Sequence, residues 1–470
     1  MDYIFYDTET TGLKSAFDQI IQFAAIRTNE NLEELERFDI RCRLMPHIIP
    51  SPEAMLVTGI MPMQLIDPNL PSHFEAFCKI RSKLLSWSPA IIVGYNSLAF
   101  DEEFLRQGFF QSLLPTYLTN TNGNQRSDIM RILHAVRIYK PNVVSVPMGP
   151  NGKETFRLEL IAPSNGYNHE NAHEAMADVK ATIFMAQFAM DQAPDIWNIM
   201  DRATKKNEVL SQITKSHSFV LSERYFNTMH NWLVTFCGIH LKNKNKIAVF
   251  DLNFDPDDYL SLSAEQLVEV LDNKSAKVIR TLQLNKLPII MPADCAPEGT
   301  KALDIPEEER KSRINKIVDN EDFTRRVGEA LALRDSNYET SSYLEKRIYD
   351  GFPSRSDETL MSEFSEANWE HRAIIASKIT DGRLAEFAHR LIYFERPDLL
   401  PTDKLDSLHS WIQSRVLSEN IDVPWMSAKK AFLEIENKFE EASVINKSRL
   451  REIRDFIIER VQKTSNLDKY

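Results

Sequence analysis

Apolar residues open the chain as a run, Tyr3-Ile4-Phe5-Tyr6, which passes directly into the polar stretch Asp7-Thr8-Glu9-Thr10-Thr11-Gly12. An aromatic-rich run of this kind predicts a strand entering the core, and side chains two apart on a strand share a face, so Asp7 and Glu9 are presented together. Residues 20–26 and 38–44 read as the next strands, the second alternating apolar and polar as a half-exposed strand does. A proline-punctuated loop over 46–62 precedes a helix whose start carries a capping-box pattern, Ser72 with Glu75, and whose inner stripe is Phe74, Phe77, Ile80 and Leu84. A buried strand over 90–96 and a helix opening near Phe100-Asp101 follow, then a helix over about 127–138 and a loop rich in Pro, Gly and Asn. Residues 156–161 lead past Gly166 into an Ala- and Met-rich helix containing Asp178. Strands first, then strands alternating with helices, predict a mixed sheet with helices packed on it.

The pattern changes near Ala193-Pro194, where a basic cluster, Arg202, Lys205 and Lys206, begins a new region. From 219 to 292 it is mostly strands, and beyond Gly351 and Pro353 it is helical. Leu405, Leu408, Ile412 and Val416, and later Leu450, Ile453, Ile457 and Val461, recur at helical spacing and read as core. At 470 residues the chain exceeds what one core supports, so two or three domains are expected.

A formal net charge of -12 argues against a uniformly basic nucleic-acid coat but leaves room for a local positive groove. Cys42, Cys78, Cys237 and Cys295 are far apart and form no C-x-x-C pair, so neither a zinc knuckle nor a disulfide framework is suggested, and buried free thiols are the expectation. The first strand begins at Tyr3, which leaves no room for a targeting peptide, and no apolar run is long enough to span a bilayer; a cytoplasmic protein without membrane contact is expected.

Asp7 and Glu9 aimed at one point repel each other unless a cation lies between them, and a hard divalent ion with oxygen ligands answers that need. A solvated strand end followed by an ordinary turn accounts for them equally well. Asp101 and Asp178 taken singly fit a helix N-terminus and a solvated helix face, and His173 fits a surface histidine.

Their order and context alter that weighing. The stretches Asp7-Thr8-Glu9-Thr10-Thr11-Gly12, Asn96 to Asp101 and His173-x-x-x-x-Asp178, with Val57-Thr58-Gly59-Ile60, resemble the DEDD superfamily of 3′ to 5′ exonucleases in its histidine-bearing branch. Along essentially the whole chain the resemblance is to the bacterial exonuclease I family. It runs through Phe23-Ala24-Ala25-Ile26-Arg27-Thr28, Phe156-Arg157-Leu158-Glu159, Leu284-Asn285-Lys286-x-Pro288 and Tyr349-Asp350-Gly351-Phe352. One departure stands out: the first motif is closer to the proofreading-type form, with its carboxylates in place.

The resemblance implies an α/β fold: an RNase H-like mixed-sheet nuclease domain (1–192), an SH3-like β domain (193–353) and a helical C-terminal domain (354–470). It implies 3′ to 5′ hydrolysis of single-stranded DNA to 5′-mononucleotides, in DNA repair and recombination. An RNA 3′ exonuclease and a noncatalytic single-strand-binding scaffold are the alternatives. Four carboxylates, Asp7, Glu9, Asp101 and Asp178, can hold two Mg²⁺ ions about 3.5–4 Å apart, with Mn²⁺ an expected substitute, while a neutral histidine takes the proton. His173 is that histidine; in a regular helix residues five apart diverge by about 140°, so it is expected on the irregular approach to the Asp178 helix. Glu9 and Arg157 are the expected substrate contacts. Arg202, Lys205, Lys206, Lys242, Lys244 and Trp232 are candidates for holding a strand. A monomer is expected, with single-strand DNA-binding protein as a partner that docks its acidic, apolar C-terminal tail near Arg313, Arg325 and Arg326.

Overall fold

The computed structural model of the chain describes residues 1–168, 173–336 and 340–467. These form two compact units, one built from Met1–Asn124, Glu170–Lys180 and Thr340–Tyr470, the other from Gln125–His169 and Ala181–Glu339.

In the first unit the strands β1 (Tyr3–Thr10), β2 (Ile20–Thr28), β3 (Glu34–Arg41) and β4 (Ile91–Gly94) lie in the order β3-β2-β1-β4. β1 pairs antiparallel with β2, placing Asp7 opposite Ala24 and Glu9 opposite Gln22, and parallel with β4, placing Phe5 opposite Val93. Alternation along β1 divides its residues: Ile4 and Tyr6 join Phe23, Phe77, Ile80, Phe104 and Phe109 in one core, and Asp7 and Glu9 leave from the opposite face. The helix His73–Ser86 starts at the expected capping box, Ser72 and Glu75 each accepting the other's backbone N–H at 3.2 and 2.9 Å, and all four residues of its inner stripe are buried.

β3 begins four residues earlier than the alternation suggests and ends before Leu44. Past Cys42, whose N–H still donates to the Ile21 carbonyl of β2, the backbone leaves the sheet, with Arg43 and Leu44 donating to the carbonyls of Pro71 and Leu65. Its charged beginning, Glu34 and Glu36, is tolerated because β3 is an edge strand.

The C-terminal helices complete cores begun at the N-terminus. Ile412, Val416, Leu450, Ile453 and Ile457 are buried with Ile21, Leu44, Ile48, Met55 and Leu65, and Phe364, Leu384, Phe387 and Leu391 with Phe74, Phe110 and Leu113. A strap over residues 343–352 is tied to these helices. Buried Glu345 accepts from Arg390 at 2.8 Å and Arg415 at 2.7 Å, and Arg383 donates to the carbonyls of Arg347 and Gly351.

The second unit begins with β5 (Gln125–Asp128), which the sequence pattern had merged into the following helix; Asp128 instead caps the helix Ile129–Tyr139, accepting from the Arg131 amide. Its main sheet is antiparallel, made of β6 (Phe219–Tyr225), β7 (Thr228–Ile239), β8 (Lys246–Asp251), β9 (Ile279–Gln283) and β10 (Ile289–Pro292) in the order β10-β6-β7-β8-β9. The helix Glu321–Ser336 packs Phe323, Val327 and Leu331 against Cys237, Phe250 and Ile279. A Cβ at Gly328 would lie 2.6 Å from the Ile239 carbonyl oxygen, so only glycine allows this approach of helix to strand.

The four cysteines are free; Cys42 and Cys237 are buried as expected, whereas Cys295 is exposed. Among the described residues no helix is long and apolar enough to cross a membrane.

Candidate active site

Asp7 and Glu9 leave one face of β1, and Asp178 enters from the first turn of the helix Ala175–Gln192, so that carboxylate oxygens of all three lie within 4.8 Å of one another. Asp101, the first residue of the helix Asp101–Gln111, is almost fully buried and accepts a hydrogen bond from Thr8 Oγ1 at 2.5 Å. The chain turns from β4 into this helix through Asn96, at φ 59°, a left-handed conformation that Asn tolerates well, and the Glu102 amide donates to the Ser97 carbonyl. That turn is the physical content of the segment from Asn96 to Asp101.

His173 lies on the turn before the Asp178 helix, at φ 66°, and its backbone N–H donates to Asp178 Oδ1 at 3.3 Å. Its side chain is thereby released from helical phasing, while its main chain stays tied to a carboxylate of the cluster. The four residues before it lie outside those described.

Two charged residues of the cluster were not singled out from the sequence. Glu174 caps the Asp178 helix by accepting the Ala177 amide at 3.0 Å and also accepts from Gln22 on β2 at 3.1 Å. Arg41, paired with Gln22 across β2 and β3, is the cation that opposes the rise in the Glu9 pKa. The signal for Glu174 was an acidic residue just ahead of an Ala-rich helix; no local signal marks Arg41, which arrives through strand register.

Burial is the main cause raising the Asp7 carboxyl well above its usual range, followed by repulsion from Asp101, Asp178, Glu9 and Glu174. Glu9 is pushed up to about 8, by burial and then by Asp178, Asp101 and Glu174. A site of hard oxygen donors that resists its own ionisation has the chemistry of a divalent-cation site, and the donor set fits Mg²⁺ or Mn²⁺.

A pH dependence follows from these shifts. Glu9 titrates near its ordinary value of 4.5 when unfolded and near 8 when folded, so between those values the folded chain holds more protons and stability falls as pH rises. The melting temperature of chelator-treated protein should fall from pH 5 to pH 8. Mg²⁺ should raise it more at pH 8 than at pH 5, and Glu9→Gln should flatten the metal-free profile; equal Mg²⁺ shifts at both pH values would refute the assignment.

Arg157 lies in the second unit, just ahead of the helix Leu158–Ser164, with a largely exposed side chain 3.9 Å from Glu159. Also in that unit, His230 and Trp232 of β7 stack in parallel at 5.7 Å, and the Arg280 guanidinium lies 3.6 Å over the Trp232 ring. With Lys277 and Lys301 they line a cavity of about 430 Å³.

Residues 4–185 match the family described as Exonuclease, and residues 204–332 match the Exonuclease I SH3-like domain. The chain is 28% identical over 400 residues to Exodeoxyribonuclease I of Haemophilus influenzae, covering 82% of each protein. The solved Exonuclease I from Methylocaldum szegediense is 25% identical, with a TM-score of 0.84 over 98% of this chain and 99% of that one. The Escherichia coli Exonuclease I solved in complex with a dA16 oligonucleotide is 23% identical; it has the same fold, at a TM-score of 0.84 over 98% of this chain and 100% of that one.

Proposed function

We propose that the chain is a member of the exonuclease I family, an exodeoxyribonuclease that hydrolyses single-stranded DNA from the 3′ end, in which Asp7, Glu9, Asp101 and Asp178 hold two Mg²⁺ ions and His173 is the general base. The observation that carries this reading is the convergence of Asp7, Glu9 and Asp178 oxygens within 4.8 Å, next to a histidine freed from its helix.

When bound, such ions activate water and stabilise the leaving 3′ oxygen in an in-line displacement. The chain's own groups do the rest. Thr8 orients the Asp101 carboxylate, and Glu174 holds the turn that carries His173. The His173 imidazole accepts the proton of the attacking water. Glu9 and Arg157 contact the substrate, Arg157 at a phosphate. Release of 5′-mononucleotides from a 3′-labelled single strand, with Mg²⁺ and with chelator, tests the assignment; release that persists in chelator would refute it.

The parts 1–192, 193–353 and 354–470 serve as nuclease, SH3-like and helical domains, in a cytoplasmic, monomeric enzyme of DNA repair. Trp232, with Arg280 and His230, offers a stacking platform beside cations, which is what an unpaired strand requires. Trp232→Ala should weaken binding of single-stranded DNA by about 1–3 kcal/mol, the usual worth of one stacked base, with the rate at saturation unchanged. Affinity should also fall with salt, log K dropping by about 0.7 per phosphate contact for each unit of log salt. Unaltered affinity in the Trp232 variant would remove the platform from the binding path.

Docking of the C-terminal tail of single-strand DNA-binding protein is part of the same reading. Arg313, Arg325 and Arg326 enter it already paired, with Glu309, with Asp322 and Glu329, and with Asp322. The Arg325 pairs are exposed and therefore weak in water, so an acidic tail can exchange with them, whereas Arg313 and Arg326 are largely covered and also donate to the carbonyls of Leu252 and of Leu260 and Leu262.

A further inference from the structure

The helix that delivers Asp101 starts with three consecutive carboxylates, Asp101, Glu102 and Glu103. One belongs to the metal cluster; two further bare charges beside Asp7, Glu9 and Asp178 would drive the first turn away from it. The neighbours take up those two. Glu102, fully buried, accepts from Thr119 Oγ1 at 2.6 Å and pairs with Arg106 at 2.8 Å. Glu103 accepts a hydrogen bond from the Tyr349 hydroxyl, and Arg106 Nη1 lies 3.5 Å from Glu103 and 3.4 Å from the tyrosine oxygen. The Arg106 guanidinium also lies 5.3 Å over the Tyr117 ring.

This helix gains no capping bond from its N-cap side chain. Its N-cap is Phe100, at φ -124° and ψ -76°, with no side-chain hydrogen bond. Lateral ties orient the first turn, and one of them comes from the distant strap, whose backbone Arg383 grips on both sides of Tyr349, at Arg347 and Gly351.

We propose that Tyr349 is a positioning residue for Asp101: acting through Glu103 and Arg106, it fixes the rotation of the helix's first turn and thus where the Asp101 carboxylate points. The proposal rests on Asp101 being a metal ligand. Supporting groups of this kind usually matter by about 10–100-fold in metal affinity or activity.

Tyr349→Phe removes only a hydroxyl from a half-exposed ring, so the fold survives where Arg106→Ala would leave buried Glu102 unpaired. Titration with Mn²⁺ in the absence of DNA, followed by electron paramagnetic resonance, should show binding weakened about 10-fold or more. The rate at saturating DNA should fall in parallel, with KM unchanged. Glu103→Ala should behave alike, and the double variant should lose no more than the larger single loss, because the two side chains act through one contact. Unchanged Mn²⁺ affinity, additive losses, or a raised KM at constant kcat would each overturn the proposal, the last by making Tyr349 a strand contact. Asp101→Asn in the same titration separates the two levels. If it binds Mn²⁺ normally, the ligand assignment falls; if it does not while Tyr349→Phe is neutral, only the positioning role falls.

Discussion

Asp7→Asn, Glu9→Gln and Asp178→Asn are each expected to end mononucleotide release while leaving the protein folded. Each change keeps the side chain's shape and removes one negative charge from a cluster whose oxygens lie within 4.8 Å of one another. The loss should exceed the ~10²–10⁴ that one general base contributes, because the ions these groups hold serve both the nucleophile and the leaving group. Stability should move the other way. Without metal, Asp7 and Glu9 are buried against like charges, so neutralising either should raise the melting temperature in chelator. An inactive variant that is also less stable in chelator points to a damaged fold. One that turns over near the parent rate rules out the metal-ligand assignment at that position.

His173→Ala should lower turnover by about 10²–10⁴ while affinity for Mn²⁺ and for single-stranded DNA stays near the parent's. The imidazole hangs from a turn whose other tie to the cluster is a backbone N–H to Asp178, and alanine preserves that bond. Added imidazole should restore part of the lost rate, since a freely diffusing base can enter the space the ring vacates. Loss of DNA affinity in proportion to lost rate would make His173 a substrate-holding residue and defeat the base assignment.

The parts of the site that lie within one element were legible in the sequence. Asp7 and Glu9 share a face because strand side chains alternate, and His173 had to lie off the helix because five residues do not return to the same side. The helix at Ser72 announced itself by its capping box. What the sequence hid depends on register or on distant chain. Arg41 comes beside Gln22 only once β3 has paired with β2, and the Thr8 contact with Asp101 spans 93 positions. β5 was lost because four residues ending in a helix cap leave no periodicity to read. β3 was placed too far along because Leu44 is apolar for another reason: it packs against the C-terminal helices.

That same core has a consequence for how the protein is made. Ile21 and Leu44 leave the ribosome long before their partners Leu450, Ile453 and Ile457. At about 5–20 residues per second, roughly 20–90 s separate the two, during which the face lined by Ile21, Leu44, Ile48 and Met55 lacks its C-terminal cover. Through that interval the uncovered apolar face is the kind of surface that aggregates and that chaperones exist to shield. Ribosomes stalled near residue 340 should therefore display a protease-sensitive N-terminal region, and a gene cut at that point should yield aggregate rather than a small free-standing nuclease.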